Sequence, residues 1–247
     1  MSPAASDDLS WVKPTWGLTY KEIEDENMAQ HLQREIDRLK RKILALGALV
    51  EEDLRQAVKA LGDRDDKLAR RVVETDIEID NMEVEVEEDC LKVLALHQPV
   101  AIDLRFIIAV LKINNDLERI GDLSANIAER AASIAKQERV ESPYDFPEMS
   151  QKVQTMLHMA LDSLVNLDSK LAHKVLAADD EVDAINRSMY EKVQQHIRQS
   201  PDKMDTLIQM LAVSRNLERI ADHTTNIAED VIYMVDGEII RHGAKSY

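Results

Sequence analysis

Apolar residues return every three or four positions from Met28 onward: Met28, Leu32, Ile36, Leu39, Ile43, Leu46, Val50, Leu54, Val58 and Leu61. An α-helix advances about 100° per residue, so this spacing keeps one face apolar and predicts a single long core-facing helix. "GDRDD" at 62–66 breaks the pattern. A second helix is expected over about 67–96, with Val72, Val73, Ile77, Ile79, Met82 and Val86 turned to a core. "HQP" at 97–99 ends it, because proline cannot continue a helix and restrains the residue before it. A third helix is expected over about 102–135, and "QERVESPYDFP" at 137–147 is polar and proline-bearing, as a linker would be. Three more helical stretches follow at about 148–166, 170–198 and 202–241, with "QSP" at 199–201 between the last two.

The first 27 residues hold both tryptophans and two prolines and lack helical periodicity. They are expected to form an extension that is disordered or lies loosely over the helices. The division that results is an N-terminal extension at 1–27, a three-helix unit at 28–136, a linker at 137–147 and a second three-helix unit at 148–247.

The two units resemble each other beyond periodicity. Between Leu117–Glu129 and Leu217–Glu229, nine of thirteen positions are identical. Upstream, "DIEID" at 76–80 answers "DDEVD" at 179–183 in the middle helix of each unit. Internal duplication therefore predicts an all-α protein made of two pseudo-symmetric three-helix bundles, six helices in an elongated molecule. Composition agrees: aromatic residues are only 4% of the chain and glycines number six.

Charge narrows the partners. With 31 basic against 47 acidic residues the net charge is −16, which repels nucleic-acid phosphates and anionic lipid heads. Nucleic acid is not expected as a partner. The lone Cys90 cannot form an internal disulfide, and no charged-then-apolar leader opens the chain. The longest apolar run, "FIIAVL" at 106–111, falls far short of the roughly 20 residues that cross a bilayer. Direct membrane insertion is not expected, and the cytoplasm is the expected location.

On a helical wheel Glu118, Asp122, Asn115, Asn126 and Glu129 fall within about 80° of one another, away from Leu117, Ile120, Ile113 and Ile127. The last helix repeats the stripe with Glu218, Asp222, Asn226 and Glu229. Acidic pairs four apart repel by roughly 0.2–0.5 kcal/mol. A single such pair carries little information, since 47 acidic residues in 247 place about nine by chance. The arrangement is what chance does not supply: DxxxD in the middle helix and ExxxD in the last, both repeated.

If those two helices lie antiparallel, Asp76, Asp80, Glu118 and Asp122 converge in one unit and Asp179, Asp183, Glu218 and Asp222 in the other. Carboxylate oxygens suit hard or borderline cations, namely magnesium, manganese or iron, with zinc also accommodated. The nearby Arg119 and Arg219, with Asn126, Glu129, Asn226 and Glu229, would balance or orient the ligands. A solvated acidic face is the competing reading.

Enzymatic alternatives have less support. No histidine follows a glutamate at the di-iron offset, HExxH is absent, and neither GxxxxGK[ST] nor GxGxxG occurs. A metal-dependent phosphohydrolase using the same carboxylates would lack an evident base, nucleophile or substrate loop. Cys90, among acidic neighbours, reads as a buried structural thiol. His223 falls in register with Leu123, as a core or interface histidine, and His31 reads as solvated.

"NNDLERIGDLSANIAE" at 114–129 and "SRNLERIADHTTNIAEDVIYMVDGE" at 214–238, with "DIEID" and "DDEVD" in order before them, resemble the PhoU family of phosphate-transport accessory proteins over about 28–242. The resemblance implies a cytoplasmic, non-enzymatic homodimer that represses the phosphate regulon. It also implies coupling between a phosphate ABC transporter, through its ATPase subunit, and a sensor histidine kinase. The family's E(D)xxxD motifs, which hold multinuclear clusters of iron or zinc with manganese or magnesium as further candidates, fall here on the same eight carboxylates. The extension before Met28 exceeds the family pattern.

Overall fold

The computed structural model describes residues 20–138 and 146–240, with side chains from residue 30. Six α-helices follow one another: α1 (Tyr20–Asp63), α2 (Asp66–His97), α3 (Ala101–Ala135), α4 (Phe146–Asn166), α5 (Ser169–Gln199) and α6 (Met204–Asp236), with a short 3-10 turn at Pro201–Lys203 before the last. No strand occurs among the described residues. Helices α1, α2 and α3 pack on one another, as do α4, α5 and α6; α3 also lies against α6, and α1 touches α4. The expected pair of three-helix bundles is present, joined along a continuous core.

Most of the expected extension, residues 1–19, and most of the expected linker, residues 139–145, lie outside the described residues. Helix α1 begins at Tyr20, earlier than the apolar repeat indicates, and α4 takes Phe146 and Pro147 from the predicted linker. Proline is compatible with a first helical turn, where its missing N–H has no helical acceptor to lose.

Local chemistry explains the helix ends. Asp65 caps α2, accepting from the Lys67 and Leu68 N–H groups at 3.0 Å each, and Asp168 caps α5 through Lys170 and Leu171 at 3.0 and 3.1 Å. Helix α6 stops at Asp236 rather than continuing to 241, because Gly237 adopts φ 77° and its N–H bonds back to Tyr233 O at 3.0 Å.

The buried stripe of α1 alternates three and four: Ile36, Leu39, Ile43, Leu46, Val50, then Asp53, Ala57 and Ala60, with Leu54 beside it. Val58 and Leu61 are only partly covered. On α2 the inner face is carried by Val72, Ile79, Val86 and Val93, and Ile77, expected to face a core, is 66% exposed. It stands two residues from Ile79 and hence about 160° around the helix. Cys90 is a buried free thiol, as expected, and burial pushes its pKa up to about 12.

One pair of positions ties the repeat to packing. A Cβ on Gly121 would lie 3.1 Å from both Ile79 Cδ1 and Ile79 Cγ2, and 3.6 Å from Asp76 Oδ1. The matching pair in the second bundle is Val182 with Ala221, all four residues being buried. One half has the larger branched chain against glycine, and the other has the smaller against alanine. Volume is conserved across the α2–α3 and α5–α6 contacts.

Candidate functional site

The caps set the phase of the acidic rows. Asp76 lies eleven residues beyond Asp65, and Asp179 eleven beyond Asp168, so each middle helix presents its DxxxD pair at the same height of its bundle. Glu118 and Asp122 on α3, and Glu218 and Asp222 on α6, stand across from them.

In the first bundle, burial raises the Asp76 pKa to about 6, and the charges of Asp122, Asp80 and Glu129 add to it. Burial also raises Glu118, helped by Asp122, Asp80 and Glu83 and opposed by Arg119. In the second bundle burial lifts Asp179 to about 6, with Asp222, Asp183, Asp180 and Glu218 adding. Glu218 and Asp222 are raised first by desolvation and then by neighbouring carboxylates, Asp183 acting on both. Each row therefore feels the row on the facing helix. All eight predicted carboxylates take part in these two mutually repelling sets, one per bundle.

They do not form a closed coordination sphere: among the described residues, no three His, Cys, Asp or Glu side chains are gathered tightly enough to hold a metal ion. The donors nevertheless suit a cation. Asp76 Oδ1 and Glu118 Oε2 are buried and accept no hydrogen bond, a costly state for carboxylate oxygens that a bound cation relieves. The donor set consists of carboxylates with no thiolate, the chemistry of magnesium, manganese and iron sites.

The surrounding residues divide. Arg119 reaches Glu118 Oε2 at 3.4 Å and Asp122 Oδ2 at 3.3 Å. Arg219 opposes the charge on Glu218 and Asp222. Asn126 donates to its own helix at Asp122 O, 2.8 Å away. Asn226 points across to the other bundle, donating to Asp116 Oδ1 at 3.2 Å. Glu129 acts on Asp76 by its charge, and Glu229 makes contacts of its own. His223 is an interface residue: its Nδ1 is 2.8 Å from the same Asp116 Oδ1.

Sequence reasoning passed over Asp53. It is 3% exposed in the core stripe of α1, its Oδ2 is buried with no hydrogen-bond partner, and its pKa is raised to about 7 by burial, then by the charges of Asp76 and Glu52. The available signal is an acid at a core position of the three-four alternation, where the apolar pattern alone points to the adjacent Leu54.

The architecture and the repeated rows define a class: all-α proteins of two tandem three-helix bundles, each with facing carboxylate pairs. The PhoU domain family matches residues 43–131 and 146–231, and the chain belongs to that family. A Pseudomonas aeruginosa protein named phosphate-specific transport system accessory protein PhoU homolog is 37% identical over 219 residues, 87% of this chain and 90% of the relative. The Serratia marcescens accessory protein PhoU is 30% identical over 224 residues, 89% and 92%. The crystal structure of PhoU from Pseudomonas aeruginosa superposes with TM-score 0.80 at 37% identity, over 83% of this chain and 99% of that one. The Streptococcus pneumoniae phosphate transport system regulatory protein PhoU gives 0.78 at 27% identity, over 84% and 98%. These relatives are named as accessory or regulatory proteins, and the chain is a non-enzymatic member of that family. No helix among the described residues is long and apolar enough to cross a membrane.

Proposed function

We propose that the chain is a cytoplasmic regulatory adaptor of phosphate uptake that restrains phosphate-regulon signalling. It acts between the ATPase subunit of a phosphate ABC transporter and a sensor histidine kinase. The support is its family membership together with relatives named as accessory proteins of the phosphate-specific transport system. An adaptor of this kind works by binding one state of its partner better than another, so that its presence shifts the partner's population. Helical surfaces supply the contacts, and a homodimer is the assembly we assign.

Metal belongs to the same reading. Asp76, Asp80, Glu118 and Asp122 would hold it in one bundle, and Asp179, Asp183, Glu218 and Asp222 in the other. The observation that carries this is Asp76 Oδ1, buried and without a hydrogen bond between repelling rows. A bound cation would supply the positive charge that the two rows lack, fixing the middle helix against the last. Iron, manganese, magnesium and zinc are the candidates.

Deletion of the gene is expected to derepress a phosphate-starvation reporter in high phosphate, and the intact gene to restore repression. A reporter indifferent to the deletion removes the regulatory reading. For the metal, the isolated untagged protein is expected to carry iron, manganese, magnesium or zinc by elemental analysis and to lose it in the Asp122→Asn/Asp222→Asn double variant. Protein that neither carries nor takes up these ions removes the metal part alone.

A further inference from the structure

The repeat is not perfect at the carboxylate sites. Asp53 lies twelve residues before the α2 cap Asp65, and Met156 lies twelve before the α5 cap Asp168. Their surroundings match position by position: Val50 with Val153, Leu54 with Leu157, and Ala57 with Ala160, every one of them buried. The two residues are equally enclosed, at 3% and 1% exposure. One half of the protein therefore places a carboxylate where the other places a thioether.

That carboxylate is not spent on the fold. Its Oδ2 is sealed from solvent and accepts no hydrogen bond. Helix α1 packs against both α2 and α3. Asp53 lies twelve residues before the cap Asp65 and Asp76 eleven after it, so the α1–α2 hairpin sets the two at about the same height. After burial, the Asp76 charge is the largest influence on Asp53. Asp76 in turn keeps its own Oδ1 buried and unpartnered beside Gly121 of α3. Two orphaned acid oxygens from different helices thus stand at one level of the first bundle, Asp53 on the buried stripe of α1 and Asp76 in the first acidic set. Two like charges enclosed in this way are unfavourable unless a cation or protons neutralise them. A methionine at the same position would fill the space at no such cost, as Met156 does.

We propose that Asp53 supplies a fifth carboxylate to a divalent-cation site in the first bundle, entering from α1, and that the second bundle lacks this ligand. The inference rests on the metal reading above and deepens it: the two centres are unequal, the first carrying one more negative ligand and binding hard cations more tightly. A thioether is a soft donor and does not replace an oxygen toward manganese or magnesium.

The test uses Mn²⁺ as the probe, with binding followed by calorimetric titration and by loss of the free-ion electron paramagnetic resonance signal. Wild-type protein is expected to show two classes of site. In an Asp179→Asn/Asp222→Asn background, which disables the second bundle, only the tighter class remains. Adding Asp53→Met, the residue nature uses in the other half, or Asp53→Asn, of nearly the same shape, is expected to weaken that class about 10- to 100-fold. The metal-free melting temperature should not fall for Asp53→Met, which shows that lost affinity is not lost structure. If either folded variant binds Mn²⁺ as the background does, Asp53 is no ligand while the metal reading stands. If the wild-type protein binds no Mn²⁺ at all, both fall together.

Discussion

At Gly121 the helices of the first bundle approach closely: Ile79 presents two side-chain carbons 3.1 Å from where a Cβ would sit, so an added methyl group requires Ile79 to shift by a few tenths of an ångström. Gly121→Ala is expected to destabilise the protein by up to about 2 kcal/mol, an overpacking cost of about 1–3 kcal/mol set against the roughly 1 kcal/mol that alanine gains over glycine inside a helix. Ile79→Val in the same chain should recover most of the loss, since it recreates the Val182–Ala221 pair of the other half. Urea unfolding of the two single variants and the double variant measures the coupling; simple additivity would show that the contact is not shared. The aspartates make a second prediction at this scale. Asp53, Asp76 and Asp179 are raised to about 7, 6 and 6 by burial first, whereas an unfolded aspartate titrates near 3.9. Between those values the folded state binds more protons than the unfolded chain. Their contribution is therefore full below about pH 4 and is lost as pH rises through about 6–7. Carboxylates held low, such as Asp89 beside Lys42 and Glu52 beside Arg55, change at more acid pH and leave that window clear. In chelator the urea midpoint is expected to fall from about pH 5 to pH 8, and Asp53→Asn to flatten the slope. A midpoint that rises over this range would mean that the acidic rows are not strained.

Helix entry decides where the rows stand. Asp65 and Asp168 each satisfy two orphan N–H groups at the start of a middle helix. Replacing either with alanine is expected to cost about 1 kcal/mol, and the two losses should add because the caps sit in different bundles. Thermal or urea unfolding checks both, and a loss in only one bundle would break the equivalence of the repeats. These ends were legible in the chain because proline, glycine and aspartate act locally: "HQP" and "QSP" both mark real breaks. Gly237 was equally visible, yet the apolar Ile239 and Ile240 carried the predicted last helix past it. The eight carboxylates were legible for a different reason, since duplication repeated them in register. Asp53 was not, because periodicity alone admits Leu54 and Asp53 to the same face, and only packing against α2 and α3 distinguishes which is enclosed with a charge. Nor was the contact of Asn226 with Asp116 visible, since the helical wheel places Asn226 in the acidic stripe while the neighbouring bundle draws its amide away.

Across the whole molecule α3 and α6 form the seam between bundles. Asp116 meets His223 at 2.8 Å, Lys112 meets Asp230 at 3.0 Å, and Arg130 meets Gln209 at 2.8 Å. Numbers rise along α3 as they fall along α6, so the two helices run antiparallel, and Lys112 also lies 5.1 Å from the centroid of the Tyr233 ring. Each of these helices is at once the last wall of its own bundle and the partner of the other's last helix, and each carries half of a carboxylate set. Separating the bundles would expose apolar surface on both, so opening one half costs the other its packing. The protein is therefore expected to unfold in one calorimetric transition, with calorimetric and van't Hoff enthalpies in agreement. If the metal reading holds, Mn²⁺ bound in either half should raise that single transition, by linkage to the folded state. With the second set disabled through Glu218→Gln and Asp222→Asn, the transition should still move as one. Two resolved transitions, only one of them responding to Mn²⁺, would show that the seam does not join the bundles energetically, and a cation in one half could not then be felt by a partner docked on the other.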